Sequence, residues 1–333
     1  MKLKGRMDLV VLVGIALAIL AALIYTTLQL LDQSEQHVKE VRDTRVETSP
    51  VNTFYPKENE CDEQAKADFE HDPNRTEAKY NNFAFSEEAF KQFGRSKTLT
   101  KLQLVDCDAK DKWLRHITKL PLTFLAIEGT DLTSDSLPYI AKIETLSTLG
   151  LARDPIKDEN MEELLKLTKL TGLNISETDL TAIGIKTICK NQNLVTLSVM
   201  GCPTTGDSFE DIGKVSALTI LDVGQIAHVT PKQLRNLQNL KRLYKLNMRR
   251  CDLTDDCLRE LSQMTSIHEL EIDSNIFTDS GLEHLKALKN LRTLRIHNCK
   301  NITPAGVATL QKALPSTAIE TKFTSAAGID IGE

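Results

Sequence analysis

The sequence predicts an α/β solenoid, a right-handed horseshoe with a parallel concave sheet and convex helices, preceded by one transmembrane helix. Three observations predict it: a motif restated nine times at near-constant spacing, apolar alternation at the head of each copy, and an uncharged run near the N-terminus. The copies start at Leu99, Leu122, Leu146, Leu170, Leu194, Leu218, Leu243, Ile267 and Leu291, in steps of 23 to 25 residues. So regular a period marks stacked units, each burying its apolar face against its neighbours.

Within a copy the apolar residues fall at the first, fourth and sixth positions, as in Leu194, Leu197 and Val199, which is strand alternation at its centre. Eight residues after each start the chain must turn, and there stand Cys107, Thr130, Asp154, Thr178, Cys202, Ile226, Cys251, Asn275 and Cys299. A small polar side chain at this point satisfies turn backbone groups. Of these, Cys107, Cys202, Cys251, Asn275 and Cys299 are read as a buried structural ladder. Next come Thr133, Thr181, Thr205, Thr230, Thr254, Thr278 and Thr303, each ahead of a helical run. Threonine caps a helix because its hydroxyl accepts from N–H groups of the first turn. Apolar steps such as Leu258, Leu261 and Met264 hold one helix face inward. Helices are wider than the ~4.8 Å between strands, so the stack curves with the sheet inside.

The run Leu243, Leu246, Met248, Cys251, repeated as Leu291, Leu294, Ile296, Cys299, resembles the L-x-x-L-x-L-x-x-N/C core of the leucine-rich-repeat family. A Cys followed by a Leu-Thr-Asp helix start is most similar to its cysteine-containing, ribonuclease-inhibitor-like branch. The resemblance covers Leu99 to Leu314 and implies a solenoid that binds other proteins. Two departures concern turn geometry: Ile226 replaces a polar turn residue, and Lys157 stands where a Thr is expected, with Asp154-Pro155 before it.

Ahead of the repeats, residues 1–8 carry Lys2, Lys4 and Arg6, and residues 9–31 carry no charge. That run is long enough to span a bilayer as a helix. It ends at Tyr25 to Leu31 with neither an Ala-x-Ala exit nor a lipid-accepting Cys, which reads as an uncleaved anchor; a retained or atypically cleaved signal is the alternative. The cationic flank favours a cytoplasmic N-terminus, with the repeat domain extracytoplasmic on a single-pass membrane protein. Residues 32–82 show no repeat, and between 32 and 98 there are 15 acidic residues to 10 basic, so this segment reads as an acidic tether. Residues 83–98 read as a cap helix, with Ser86 as N-cap and Phe85 packed on Phe90. After the nine repeats of 99–314, residues 315–333 read as a cap strand from Ala318 to Phe323 and a frayed tail.

The sequence offers no catalytic site, metal site or cofactor motif. Its seven His are scattered, and it has no Cys-x-x-Cys, phosphate loop or nucleophile elbow. The ladder cysteines fall in non-adjacent repeats, about two strand spacings apart and too far to bridge. Cys189 and Cys257 fall on convex helices, and Cys61 falls in the tether, open to an intermolecular disulfide or to none. A pI near 5.9 without a basic stripe disfavours nucleic acid.

Binding is therefore the expected function: a membrane-tethered, non-catalytic recognition domain holding a protein or peptide on the concave sheet, with no small-molecule substrate. The alternatives are a substrate adaptor or scaffold subunit of a larger enzyme complex, and a passive structural spacer. The candidate site is the outward side chains Arg153, Asn174, Ser176, Ser198, Asp222, Gln225, Lys245, Asn247, Arg249, Glu269, Glu271, Asp273, Arg295 and His297. Gly150, Ala152, Gly172 and Gly224 leave a shallow floor beside them. In-register parallel strands place Lys245 beside Glu269, Asn247 beside Glu271 beside Arg295, and Arg249 beside Asp273 beside His297. Such stripes either neutralise one another or receive a partner of mixed charge, with Arg249 and Arg295 taking its carboxylates.

Overall fold

The computed structural model describes residues 58–321. Eleven strands form one sheet in chain order: β1 (Glu77–Asn81), β2 (Lys101–Val105), β3 (Phe124–Glu128), β4 (Thr148–Gly150), β5 (Gly172–Asn174), β6 (Thr196–Ser198), β7 (Ile220–Asp222), β8 (Lys245–Asn247), β9 (Glu269–Glu271), β10 (Thr293–Arg295) and β11 (Ala318–Glu320). Every pairing is parallel and in register, so the central leucines Leu102, Leu125, Leu149, Leu173, Leu197, Leu221, Leu246, Leu270 and Leu294 stand in one buried row. Burying each such side chain contributes about 1.5–3 kcal/mol. No single unit could bury it alone.

Helices return the chain from each strand to the next. Full α-helical turns occur at Ala182–Ile188, Pro231–Leu237, Asp255–Leu261, Asp279–Leu285 and Pro304–Ala313. Thr181, Thr230, Thr278 and Thr303 cap four of these with their hydroxyls. Thr254 holds the fifth cap position without such a bond. In the third copy, where Lys157 replaces Thr, the return is a 3-10 helix, Met161–Lys166, whose N-cap Asn160 takes a left-handed φ of 61° and makes no side-chain cap bond. 3-10 turns also follow Thr133 and Thr205, whose hydroxyls do cap them, so the missing hydroxyl does not by itself set the tighter helix.

A second relay ties the caps together. Carboxylates of one unit accept from both the N–H and the hydroxyl of the next unit's cap threonine: Asp111 with Thr133, Asp158 with Thr181, Asp255 with Thr278, and Asp279 with Thr303. Each cap is thus itself held by its neighbour.

The tether reading fails for residues 58–82. Helix α1 (Glu58–His71) and strand β1 form here, and β1 pairs with β2 over its whole length. Ala78 and Tyr80 of β1 point into the core. The expected cap helix, α2 (Glu87–Arg95, N-cap Ser86), is the return helix of this extra unit, and α1 packs on α2 as the outer cover. Aromatic packing replaces the missing leucines: Tyr80, Phe83, Phe85 and Phe93 meet with ring centroids 5.2–5.8 Å apart, and Phe69 of α1 closes on Phe93 at 5.9 Å. Phe85 meets Phe93 edge to face, and Phe90 meets the same ring at 5.7 Å. The Tyr80 hydroxyl donates to Asp68 of α1 at 2.9 Å, and Arg75 pairs with the same carboxylate at 3.3 Å. Cys61 is accordingly not in solvent but 1% exposed, and burial pushes its thiol above the ordinary value.

At the other end β11 is shorter than expected, Ala318–Glu320. The calls on residues 1–57, including the membrane anchor, and on the tail beyond 321 lie outside the described residues. Among the described residues no helix is long and apolar enough to cross a membrane.

The turn ladder sits between sheet and helices. All seven cysteines are buried. Cys107 donates its S–H to carbonyls of Tyr80 and Val105 at 3.4 Å, Cys202 to Ile175 at 3.2 Å, Cys251 to Val223 at 3.3 Å, and Cys299 to Ile272 at 3.5 Å. Desolvation pushes the Cys107 thiol up to about 11 and that of Cys251 up to about 12, so these donors keep their protons. Asn275 does more: its Oδ1 accepts the N–H groups of Cys251 and Leu253, both at 3.0 Å, and its Nδ2 donates to carbonyls of Met248 and Ile272 at 3.0 and 2.9 Å.

Candidate partner-binding face

The face of the sheet away from the helices carries three registers of side chains, on which the candidates Ser176 and Asn247 are buried. Two belong to the strands, and main-chain bonds such as Arg153 N–H to Ser176 C=O and Gln225 N–H to Arg249 C=O continue the parallel pairing into a third, which runs Glu128, Ala152, Ser176, Met200, Gly224, Arg249, Asp273, His297. All fourteen candidate residues lie on these registers or on the turns that end them. Arg153 and Gln225 are turn residues with left-handed φ of 65° and 63° and sit at the rim.

Over β8 to β11 the charges alternate and largely neutralise one another. Lys245 lies opposite Glu269 and Asn247 opposite Glu271, and Lys245 Nζ is 2.8 Å from Glu271 and 3.5 Å from Glu269. The Glu271 hydrogen bond raises the Lys245 ammonium above its ordinary value. Arg295 is not available to a partner's carboxylate: it lies 3.0 Å from Glu271, 3.2 Å from Asp273 and 3.7 Å from Glu320. Asp273 also accepts the His297 N–H at 2.7 Å. Exposed pairs of this kind contribute about 0.2–1 kcal/mol each.

Arg249 behaves differently. It turns away from Asp273 and lies back across Gly224 to Met200, with Nη2 2.9 Å from the thioether sulfur. A Cβ at residue 224 would stand 3.0 Å from Arg249 Cγ, so the glycine makes room for the crossing. Nε of Arg249 is buried without a hydrogen-bond partner. Nearby Asp222 has both oxygens committed, one to the Gly224 N–H at 3.0 Å and one to Asn247 Nδ2 at 3.1 Å, and burial raises its carboxyl above the usual range.

Between β3 and β7 the floor is small and nearly uncharged. Ser176 and Ser198 share a hydrogen bond of 2.6 Å, and Asn174 Oδ1 accepts from the Ser176 hydroxyl at 2.8 Å. Glu128 crosses Gly150 to accept from Asn174 Nδ2 at 3.2 Å, and a Cβ on residue 150 would collide with its carboxylate. Burial pushes the Glu128 carboxyl up, against the Asn174 bond. At the rim Arg153 reaches Asp106 at 2.9 Å. Along the strand starts Val195, Ile220 and Tyr244 are 37%, 39% and 36% exposed, and Tyr244 stacks on His268 with centroids 4.6 Å apart.

Glu128, Met200, Asp106, Ile220 and Tyr244 were not among the candidates. The repeat offset could have found the first two, since Glu128 and Met200 share the register of Ser176 and Arg249. The apolar rim carries no periodic signal.

No protein-family model matches the chain, and no curated protein matches it in sequence. Solved structures do match it. Rad7, in the crystal structure of the Rad7 and Elc1 complex in yeast, is similar with a TM-score of 0.53 at 18% identity, over 90% of this chain and 91% of that one. In the TLR13–ssRNA13 complex the likeness has a TM-score of 0.54 at 17% identity, over 76% of this chain and 37% of that one. Both neighbours are leucine-rich-repeat proteins. The fold is a leucine-rich-repeat solenoid. Internalin C2 from Listeria monocytogenes also matches, at 21% identity and TM-score 0.48, over 63% of this chain and 83% of that one. In the solenoid described here, the strands position the registers, and glycines at 150 and 224 let long side chains cross them.

Proposed function

We propose that the chain is a non-catalytic recognition module, tethered to a membrane through residues 9–31, whose open sheet face binds a protein or peptide. Arg249 is its anchor, with Tyr244 and Ile220 as apolar contacts at the rim. The observation that carries this is the state of Arg249. On the outward registers Lys101 pairs with Glu77, Lys245 with Glu271, and Arg295 with Glu271 and Asp273, while Lys79 of β1 is exposed at the far end of the sheet. Arg249 donates to a thioether, leaves a buried Nε unsatisfied, and acts on the nearby Asp222 carboxylate through space without an ion pair to it. A guanidinium without an ion-pair partner at one end of the strands, with aromatic and aliphatic side chains exposed at the other end, has the residue types of a protein-binding hot spot. A protein is favoured over nucleic acid because neutralised cations release few counterions on binding a phosphate backbone.

Crosslinking and pull-down with the full chain from its own cells tests this. Arg249→Ala and Tyr244→Ala are each expected to weaken capture of the same partner at least tenfold, roughly 1.4 kcal/mol, with the melting temperature unchanged. Undiminished capture by Arg249→Ala overturns the assignment. The adaptor reading is the second one, favoured by the likeness to Rad7 along nearly its whole length, since Rad7 is in a complex with Elc1. It expects the repeats in the cytoplasm, which the topology experiment below decides.

A further inference from the structure

Among the nine turn positions Asp154 is the one acid, and Ile226 is the one residue with no hydrogen-bonding group. Thr178 donates its hydroxyl to the Ile175 carbonyl at 2.8 Å, Asn275 donates its amide, and the cysteines donate S–H. All of them give a proton to a main-chain carbonyl. Asp154 occupies the same rung, 2% exposed, and as a carboxylate it could only accept.

Asp154 is placed like Asn275. The Oδ1 of Asn275 accepts the N–H groups of Cys251 and Leu253 on the preceding unit, while Oδ1 of Asp154 accepts the N–H of Thr130 at 2.6 Å and its hydroxyl at 3.2 Å, with the Leu132 backbone also bonding to the carboxyl. Thr130 and Leu132 stand at the same offsets from Asp154 as Cys251 and Leu253 do from Asn275. The other arm of Asn275, Nδ2, donates to the carbonyls of Met248 and Ile272. By the same offsets the carbonyls facing the other arm of Asp154 are those of Ile127 and Leu151. Oδ2 is that arm, and it is buried with no hydrogen-bond partner. An ionised oxygen turned toward carbonyl oxygens in a dry site is repelled by them, whereas a protonated one completes the ladder.

We propose that Asp154 is held as the neutral carboxylic acid, donating its proton to a ladder carbonyl, and that its ionisation loosens the joint between the β3 and β4 turns. The charged groups around it support this. Asp131 on the preceding turn adds repulsion to the ionised form. Arg153, on the same turn, is engaged by Asp106 at 2.9 Å. On the following turn Glu177 and Asp179 flank Thr178. Burial, opposed by the Thr130 and Leu132 bonds, raises the carboxyl to about 7.

The sign follows from linkage. A carboxyl whose folded value lies above its unfolded value of ~3.9 keeps its proton in the folded state while the unfolded chain releases it. Stability is therefore greatest below about pH 4 for this group and falls as pH rises, until Asp154 itself ionises near pH 7.

The test compares the full chain with Asp154→Asn and Asp154→Thr, the residue types already present at 275 and at 130 and 178. Denaturant unfolding across pH 4 to 8 is the readout. The folding constant of Asp154→Asn relative to the parent is expected to climb up to about tenfold per pH unit between pH 4 and 7 and then level off. Asp154→Thr should show the same rise even where its absolute stability is lower. A ratio independent of pH for both variants overturns the proposal.

Discussion

At the scale of single residues, the ladder shows how one side chain serves several main-chain groups. Asn275 bridges two units with both arms of its amide, so Asn275→Ala is expected to cost about 3 kcal/mol by leaving buried N–H and carbonyl groups unpaired. Cys251→Ala removes a weaker S–H donor and a small volume, and about 1 kcal/mol is expected. Chemical denaturation of the two variants checks the order. Asn275→Asp recreates the Asp154 problem at a second rung. Its stability deficit is expected to be large at pH 8 and to shrink toward pH 4, because only the protonated acid can donate as the amide does. An equal deficit at both ends of that range would mean that the rung tolerates an ionised group.

At the scale of elements, the first unit decides how the array ends. β1 pairs along the whole of β2 and α1 packs on α2, where Phe69 meets Phe93, so removing residues 58–81 uncovers this end of the array. The loss is expected to reach about 5 kcal/mol, from two or three large side chains at about 1.5–3 kcal/mol each. A thermal melt of the deleted chain matching that of the parent would show β1 to be dispensable. The cap relay works at the same scale. Asp279→Ala releases the N–H and hydroxyl of Thr303, and about 1 kcal/mol of stability with faster amide exchange across Pro304–Ala313 is expected.

At the scale of the whole molecule, stability is a chain of nearest-neighbour contacts, and binding is a property of a surface that no single unit owns. Arg249 of one unit leans on Met200, two units earlier, across Gly224 of the unit between. Changing Gly224 to Ala should therefore shift the anchor, and pull-down is expected to show capture weakened by less than Arg249→Ala weakens it. Topology is the other question at this scale. Protease added to the outside of intact cells or spheroplasts is expected to digest the repeats of the full chain and to leave a tag at Met1 protected. Protected repeats would transfer the chain to the adaptor reading.

The repeat period, the parallel register, the buried row of leucines and the threonine caps other than that of Thr254 were legible in the residues alone. These follow from local periodicity, and in-register stacking fixes neighbours once the period is known. The pairing of Lys245 with Glu269 and of Glu271 with Arg295 was legible for the same reason. The first unit was not legible: Glu77–Asn81 offers only Ala78 and Tyr80 to the core, and rings brought in from α1, α2 and the segment between them supply the burial that leucines supply elsewhere. Where the long side chains point was not legible and is set by packing across strands. Arg295 is drawn to three carboxylates and Arg249 to a thioether because rotamers answer to neighbours one or two strands away, not to sequence offset. The protonation of Asp154 belongs to the same class, since an acid's charge depends on how dry its surroundings are and which atoms face it, and the fold alone sets both.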